Sequence, residues 1–321
     1  VLKMKNKRIF DFVGHRKIFF GISLTIIAIG IICNFIFGTQ LDIQFKGGSI
    51  VKYSYAGTVD ETELKDTLQN ATETQVSFAI SKDLLGTDGQ ESYVISVQFA
   101  GNEVINADVQ DTMTKALEEK FPDNNFAYLE SNSVEASMGA KFLWKCLAAI
   151  AIAGVLMVLY VTIRFKKIGG LSAGVMALIA LVHDVAMIYF MYVIFRMPID
   201  SNFIAVVLMI IGYSLNDTIV IYDRIRENKK LRKRDESIDD MTNRSIAETM
   251  GRTINSTITT LITVVLIYIL GVQAIKQFAL PLIIGIVAGA YTSIFVASTY
   301  WSAYEQAVAN SKAKKAKSKK K

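Results

Sequence analysis

The sequence predicts a polytopic α-helical membrane protein with six transmembrane helices and one α+β domain inserted after the first of them. Hydrophobic residues make up 52% of the 321-residue chain, and the mean hydropathy is +0.35. Six apolar runs reach the length of roughly 20 residues that a helix needs to cross a bilayer. They lie at 17–37, 141–163, 169–194, 201–222, 253–271 and 277–300. A soluble protein with buried helices is not expected to contain six such runs.

Lysine and arginine predict the orientation of the spans, because cytoplasmic flanks carry the excess of both residues. The basic residues concentrate in the segments 1–16, 164–168, 223–252 and 301–321. The short connections on the other side carry only Arg196 and Lys276. Both termini are therefore expected in the cytoplasm, with 223–252 as a cytoplasmic loop. We expect the basic tail to meet water and membrane lipids, with no nucleic-acid partner.

The segment 38–140 has the pattern of a folded domain outside the membrane. Strands are predicted at 49–55, 75–81, 92–99 and 126–131, and helices at 59–70 and 107–121. The order βαββαβ is that of a ferredoxin-like fold. This segment contains no cofactor motif and no catalytic constellation. We therefore expect a binding or mechanically moving domain, and not an enzyme.

Ionisable residues occur at membrane depth in three places. The fourth span contains Asn216-Asp217, the third span contains His183-Asp184, and the fifth span begins beside Arg252. A charged group at the bilayer centre costs about 2.5–3.5 kcal/mol on insertion scales, and such groups usually mark an ion path or a proton relay. These three places predict that the function lies inside the membrane.

We interpret Asp217 and Arg252 as the two parts of a proton switch. An aspartate that meets an arginine in one conformation and loses it in another would release and bind a proton accordingly. One charge crossing 100 mV yields about 2.3 kcal/mol, enough to shift a two-state equilibrium roughly fiftyfold. Asn216, Asp184 and His183 are further candidates for the relay. The sequence leaves open whether His183 and Asp184 take part in it or only pack the helices.

The motifs of an ATP-driven protein and of a zinc protease are absent. The chain has no GxxxxGK[ST] phosphate loop, so ATP is not the expected energy source. HExxH is also absent, which argues against a zinc protease. We therefore expect no bound cofactor, with the proton as coupling ion. Sodium is an open alternative, because Asp with Ser and Thr ligands could serve either ion.

The fourth span resembles the signature of the SecF family, membrane subunits of the bacterial Sec protein translocase. The resemblance rests on the run 211–220, which reads IGYSLNDTIV, and on 223–228, which reads DRIREN. It extends to His183-Asp184-Val185, to 243–246 and to Arg252-Thr253-Ile254. The family usually has Asp-Phe before a glycine pair, whereas this chain has Gln44-Phe45. Because residue 44 is a glutamine, we expect no family role here that depends on a carboxylate at this position.

The resemblance implies a half of a resistance-nodulation-division (RND) type transporter in a bacterial plasma (inner) membrane. It implies a heteromeric complex with a SecD-like subunit, association with the SecYEG channel, and use of the proton-motive force to help move preproteins across the membrane. The membrane-embedded aspartate of the family falls on Asp217, and its arginine in the fifth span falls on Arg252. Two other functions stay open at this point: an RND-like exporter of small molecules or lipids, and a structural scaffold whose charges only pack the helices.

Overall fold

The structure is a computed structural model that describes residues 10–72, 76–83, 92–99, 105, 107–232, 236–271 and 273–318. The basic residues of segment 1–9, Lys233 and Arg234, and the lysines at 319–321 lie outside the described residues. So do parts of the predicted external domain, at 73–75, 84–91, 100–104 and 106.

Six helical segments in the described part of the chain are long and apolar enough to cross a membrane. The first five are α1 (Arg16–Phe37), α5 (Ala136–Arg164), α6 (Gly170–Ile194), α7 (Ser201–Leu231) and α8 (Ile238–Leu270). The sixth consists of α9 (Gln273–Thr292), a π-helical turn at Ser293–Ala297 and α10 (Ser298–Ser318). The protein is thus a multi-pass membrane protein, since each of these segments meets the length requirement of a span.

Most of the segment 223–252, which the sequence predicts as a connecting loop, is helical. Helix α7 continues to Leu231, and α8 begins at Ile238 after Ser237, whose side chain accepts a hydrogen bond from the backbone N–H of Asp240. The tail predicted at 301–321 is likewise helical as far as Ser318. Hydropathy marks only the apolar part of a helix, so the polar continuations of these three helices carry no such signal.

The inner helices of the bundle are α6, α7 and the sixth segment, whereas α1, α5 and α8 are mostly exposed. Two apolar cores lie along the inner helices, one around Ile188 and Ile210 and the other around Phe165, Tyr222 and Trp301. On α7 the boundary between the cores falls between Ile211 and Leu215. A polar cluster occupies this boundary and is described below.

Glycines let α9 approach α7 closely. A Cβ atom at Gly285 would lie 2.6 Å from Cγ1 of Ile210, and one at Gly289 would lie 2.9 Å from Cβ of Ser214. Small residues at such positions allow membrane helices to pack backbone against backbone. The close approach brings Thr292, one turn beyond Gly289, next to the same region of α7.

The described residues of the external segment form a four-stranded antiparallel sheet with two helices on one face. Its elements are α2 (Ile43–Lys46), β1 (Gly48–Ala56), α3 (Glu61–Thr72), β2 (Val76–Asp83), β3 (Ser92–Phe99), α4 (Ala107–Lys120) and β4 (Ala127–Val134). The order of strands in the sheet is β2-β3-β1-β4. Alternate residues of β1 and β3, such as Val51 and Val97, pack against Leu64 of α3 and Leu117 of α4. This alternation is what the two-residue period of a strand requires.

Backbone hydrogen bonds join the base of the external domain to the connection between α6 and α7. The N–H of Ile199 donates to the carbonyl of Gln40 at 2.8 Å, and the N–H of Asp42 donates to the carbonyl of Ile199 at 3.0 Å. The backbone N–H of Ser201, the first residue of α7, donates to the side-chain oxygen of Gln44 at 3.3 Å. The start of α7 and the base of the domain are therefore in direct contact.

At the other end of the bundle, α8 holds the segment that precedes α1. The N–H of Val13 donates to Oδ1 of Asn243 at 3.0 Å, and Nδ2 of Asn243 donates to Oδ1 of Asp11 at 2.8 Å. The backbone N–H of Gly14 also donates to this carboxylate, and these hydrogen bonds lower the pKa of Asp11. Val13 is fully buried. One asparagine thus connects the N-terminal segment to α8 by two hydrogen bonds.

Replacing Asn243 by alanine is expected to release the N-terminal segment from α8. The change removes two hydrogen bonds, each worth about 0.5–1.5 kcal/mol, one of them to a carboxylate. We expect faster cleavage before Arg16 in limited proteolysis of the purified protein, followed by mass spectrometry. Asn255→Ala is the matched control, because Asn255 lies on the exposed side of the same helix. Equal cleavage rates in the two variants would contradict the contact.

Candidate functional site

Asp184 of α6 is completely buried and accepts hydrogen bonds from two other helices. The hydroxyl of Ser214, on α7, donates to its Oδ2 at 2.6 Å. The hydroxyl of Thr292, at the end of α9, lies 2.8 Å from Oδ1 and 3.0 Å from Oδ2. Such bonds compensate part of the cost of burying a carboxyl group between apolar cores. This carboxyl group therefore links three helices of the bundle.

The hydrogen bonds continue from Asp184 along the π-helical turn. The hydroxyl of Ser293 donates to the carbonyl of Ser214 at 3.1 Å and lies 2.9 Å from the hydroxyl of Thr218. We call Asp184, Ser214, Thr218, Thr292 and Ser293 the Asp184 cluster; each of its members is buried. A π-helical turn inside an α-helix often occurs at a functional site. Such a turn holds more residues than an α-helical turn and so changes the direction of the side chains around it.

His183 is buried beside the cluster. Its Nδ1 lies 3.6 Å from Oδ1 of Asp184, and neither ring nitrogen has a hydrogen-bond partner among the described residues. The ring lies against Tyr291, with 6.2 Å between the ring centroids. His183 and Asp184 are adjacent in sequence and therefore close in space. The 3.6 Å between Nδ1 and Oδ1 is nevertheless longer than a hydrogen bond.

Asp217 lies one turn beyond Ser214 on the same side of α7. It is 3% exposed, and its Oδ2 is buried without a hydrogen-bond partner among the described residues. Its neighbour Thr218 belongs to the Asp184 cluster. Positions three and four residues apart share one face of a helix. Ser214, Asp217 and Thr218 therefore form a polar strip on the buried side of α7.

Arg252 interacts with Asp217 electrostatically, but the two side chains form no ion pair within 4.0 Å. Arg252 lies on the exposed side of α8. The end of α7 and the beginning of α8 do bind each other. Nε of Arg224 donates to Oε2 of Glu248 at 2.6 Å, and Nδ2 of Asn228 donates to Oγ of Ser245 at 3.0 Å. The predicted pair of Asp217 and Arg252 is thus not joined by an ion pair in this conformation.

Asn216 is exposed, whereas the adjacent Asp217 is buried, so the two side chains lie on different sides of α7. Successive residues of a helix are about 100° apart, so adjacent side chains need not face the same neighbour. Several polar or small residues on two helices of spanning length are exposed. They are Gly212 and Asn216 on α7 and Arg252, Asn255 and Thr259 on α8. We call this set the exposed polar face.

Sequence reasoning missed the hydrogen-bond partners of Asp184. The partners Ser214 and Thr292 are hydroxyl residues within apolar runs, and the sequence offers many such residues, including Thr257 and Thr260. One signal was available: Ser214 and Thr218 have the i, i+4 spacing of one helix face, and they flank Asp217.

The fold and the site define a class: membrane proteins in which buried carboxyl groups lie among packed helices beneath an external α+β domain. A model of the family "Protein export membrane protein SecD/SecF, C-terminal" matches residues 112–307. The chain belongs to the SecD/SecF family of protein export membrane proteins. This confirms the resemblance found in the sequence.

Related proteins are named as protein translocase subunits. SecF of Petrotoga mobilis is 33% identical over 90% of this chain and 93% of its own length. SecF of Alicyclobacillus acidocaldarius is 33% identical, covering 92% of each chain. SecDF of Bacillus subtilis is 30% identical over 92% of this chain but only 38% of its own length. These names describe a transport role and indicate no catalytic activity.

A solved structure has the same arrangement. The crystal structure of SecDF from Thermus thermophilus, described as a translocon-associated membrane protein, matches 93% of this chain with a TM-score of 0.78 and 27% sequence identity. This chain spans 39% of that SecDF chain. In the SecDF relatives, therefore, a region similar to this chain is joined to a longer additional part.

Proposed function

We propose that this chain is the SecF-like part of a complex that uses the proton-motive force to promote preprotein movement through the SecYEG channel. The single observation that carries the proposal is the pair of buried carboxyl groups on adjacent helices. Asp184 is held by hydroxyl groups of α7 and α9, while Oδ2 of Asp217 is buried with no hydrogen-bond partner in the part of the chain that the structure describes. A buried carboxyl group without a compensating partner is costly in its charged form.

The two carboxyl groups differ in what their protonation would change. Proton release from Asp217 would create a charge that Arg252, now separate, could approach. Proton release from Asp184 would strengthen the hydrogen bonds from Ser214 and Thr292, because bonds to a carboxylate are stronger than bonds to a neutral acid. Each protonation state would thus favour a different packing of α6, α7, α8 and α9, as a gradient-driven two-state element requires. Sodium stays a second possible coupling ion at the same oxygens.

A movement of α7 has a direct route to the external domain. The backbone hydrogen bonds of Ile199 with Gln40 and Asp42 lie next to the first residue of α7. A shift of this helix would carry the base of the domain with it, because paired backbone segments move together. We propose that the domain has a ferredoxin-like fold, supported by its order of elements and by its strand order β2-β3-β1-β4.

A SecD-like subunit is the partner that we propose for the exposed polar face. Asn216, Asn255 and Arg252 lie on helices of spanning length, and polar groups at membrane depth are stabilised by protein neighbours rather than by lipid. The SecDF relatives contain such additional protein in the same chain.

In this arrangement both termini are cytoplasmic, as the distribution of lysine and arginine predicts. The membrane is the bacterial plasma (inner) membrane, as the family resemblance implies. The names of the relatives favour a translocase over an exporter of small molecules.

Secretion into inverted membrane vesicles tests this function. Vesicles that contain the chain and its SecD-like partner are expected to import a preprotein faster when a proton gradient is present, and a protonophore is expected to remove the gain. Vesicles depleted of the chain are the control, and they should keep only the part of the import that does not depend on the gradient. An equal response to the protonophore in both preparations would exclude the proposed function.

A further inference from the structure

A groove of about 480 Å³ lies on the outside of the bundle between the beginning of α6 and the middle of α10. Leu171 and Val175 of α6 form one wall, and Tyr304 and Val308 of α10 form the other. Leu171 is 69% exposed and Tyr304 is 50% exposed, so the groove opens away from the bundle. Apolar walls of this kind suit a hydrocarbon chain.

Hydrogen bonds fix the two sides of the groove to each other. The hydroxyl of Ser172 donates to Oε1 of Glu305 at 2.6 Å, which joins α6 to α10 and gives the glutamate a partner inside the protein. Nε1 of Trp301 donates to the carbonyl of Ile168 at 3.1 Å, and Trp301 is buried. Gly169 lies against Glu305 and has a φ of +96°, a conformation that residues other than glycine rarely adopt. The groove is therefore a built feature of the fold.

One lysine lines the groove, and two more precede its lining residue Gly169 in the chain. Lys312 lines it. Lys166 and Lys167 form the short turn immediately before Gly169, and both are exposed. The ammonium group of Lys229 donates to the carbonyl of Lys167 at 2.8 Å, which brings a third positive charge to the same turn. Glu305 is the acidic residue that lines the groove, and Ser172 already binds it.

We propose that this groove binds one anionic phospholipid of the leaflet at the basic end of the bundle. The phosphate lies among Lys312, Lys166 and Lys167, and an acyl chain lies along Leu171 and Val175. Basic pockets between membrane helices attract anionic headgroups, and the stem of a lysine can lie along the lipid while its ammonium group reaches the phosphate.

The size of the groove favours a lipid over a helix of another protein. The lining residues extend from Gly169, immediately before α6, to Met176 on α6, which is about two helical turns, or about 10 Å at 1.5 Å per residue. A transmembrane helix needs a contact surface approaching the roughly 30 Å of the hydrocarbon core. One acyl chain beneath a single headgroup matches the short groove and the lysines at its end.

Native mass spectrometry of the purified protein tests the lipid site. The probe is a micelle with equal parts of phosphatidylglycerol and phosphatidylethanolamine that carry the same acyl chains. Wild-type protein is expected to retain phosphatidylglycerol preferentially, and Lys312→Gln to reduce that retention about fivefold, the effect of one lysine near an anionic headgroup. Lys315→Gln is the matched control, because it makes the same change on the same helix at an exposed residue outside the lining. We expect it to retain phosphatidylglycerol as wild type does.

A second variant tests the apolar part without changing any charge. Val175→Trp fills the groove and is expected to lower phosphatidylglycerol retention as Lys312→Gln does, while the protein still elutes as one peak in detergent. Equal losses in Lys312→Gln and Lys315→Gln would show diffuse attraction and overturn the proposal. Absence of a preference in the wild type would also overturn it. A photocrosslink from position 308 to a membrane protein instead of lipid would assign the groove to a partner helix and likewise reject the lipid site.

Discussion

Asp217→Asn is expected to abolish the gradient-dependent part of preprotein import into inverted vesicles while the complex stays assembled. Asparagine has nearly the same shape as aspartic acid, so the packing around this buried position of α7 should persist. The amide cannot bind or release a proton in the physiological range, so the charge that would attract Arg252 never forms. The measurement compares import with and without a protonophore. Co-purification of the partner subunit reports assembly.

The matched control for this prediction is Asp223→Asn, the same chemical change two turns further along the same helix. Asp223 binds Arg226 at 2.7 Å and Arg164 at 3.3 Å, and its side chain is 37% exposed. Exposed ion pairs contribute about 0–1 kcal/mol, so we expect this variant to import as wild type does. If Asp217→Asn kept its full response to the gradient, Asp217 could not belong to the relay. A loss of import in both variants would indicate a general defect of α7.

Asp184→Asn is expected to cause a similarly large loss of gradient-dependent import, with little loss of folded protein. The hydroxyl groups of Ser214 and Thr292 can each turn to donate or to accept, so an amide can replace the carboxyl group in the hydrogen bonds. What the amide cannot do is change its charge. If Asp184 and Asp217 act in one relay, the double variant should be no worse than either single variant, because residues that act as a unit have non-additive effects.

Thr292→Val separates a role of Asp184 in the relay from a role in packing. It removes one donor to the carboxyl group and keeps the shape of the side chain, at an expected cost of about 1–3 kcal/mol in stability. We expect a lower melting temperature in detergent with partial gradient-dependent import. Should Asp184→Asn import normally and show only a lower melting temperature, Asp184 would be a packing residue. The relay would then rest on Asp217 alone.

Sequence reasoning succeeded where the physical signal is local. The six spans follow from apolar runs, because a helix that crosses a bilayer must be predominantly apolar over about 20 residues. The strands and helices of the external domain follow from periods of two and of 3.6 residues. The burial of Asp184 and Asp217 was also predictable, since both interrupt long apolar runs.

The extent of the helices was not predictable to the same degree. The polar part of α7 beyond Tyr222 and the part of α8 before Arg252 are helical because they bind each other, through Arg224 with Glu248 and Asn228 with Ser245. Neither part has an apolar run that would mark it. Contacts between residues about 20 positions apart therefore decided the structure of this segment.

The sequence by itself determined the membrane class, the six spans, the external α+β domain and the family, because each depends on composition, periodicity or a continuous motif. Only the tertiary structure decided that Ser214 and Thr292 bind Asp184, that Asn216 lies away from Asp217, and that Arg252 stays apart from Asp217 in this conformation. The physical reason is that such contacts depend on how each helix is rotated and how closely it approaches its neighbours. Packing across the whole bundle sets both, including the glycines of α9 against α7.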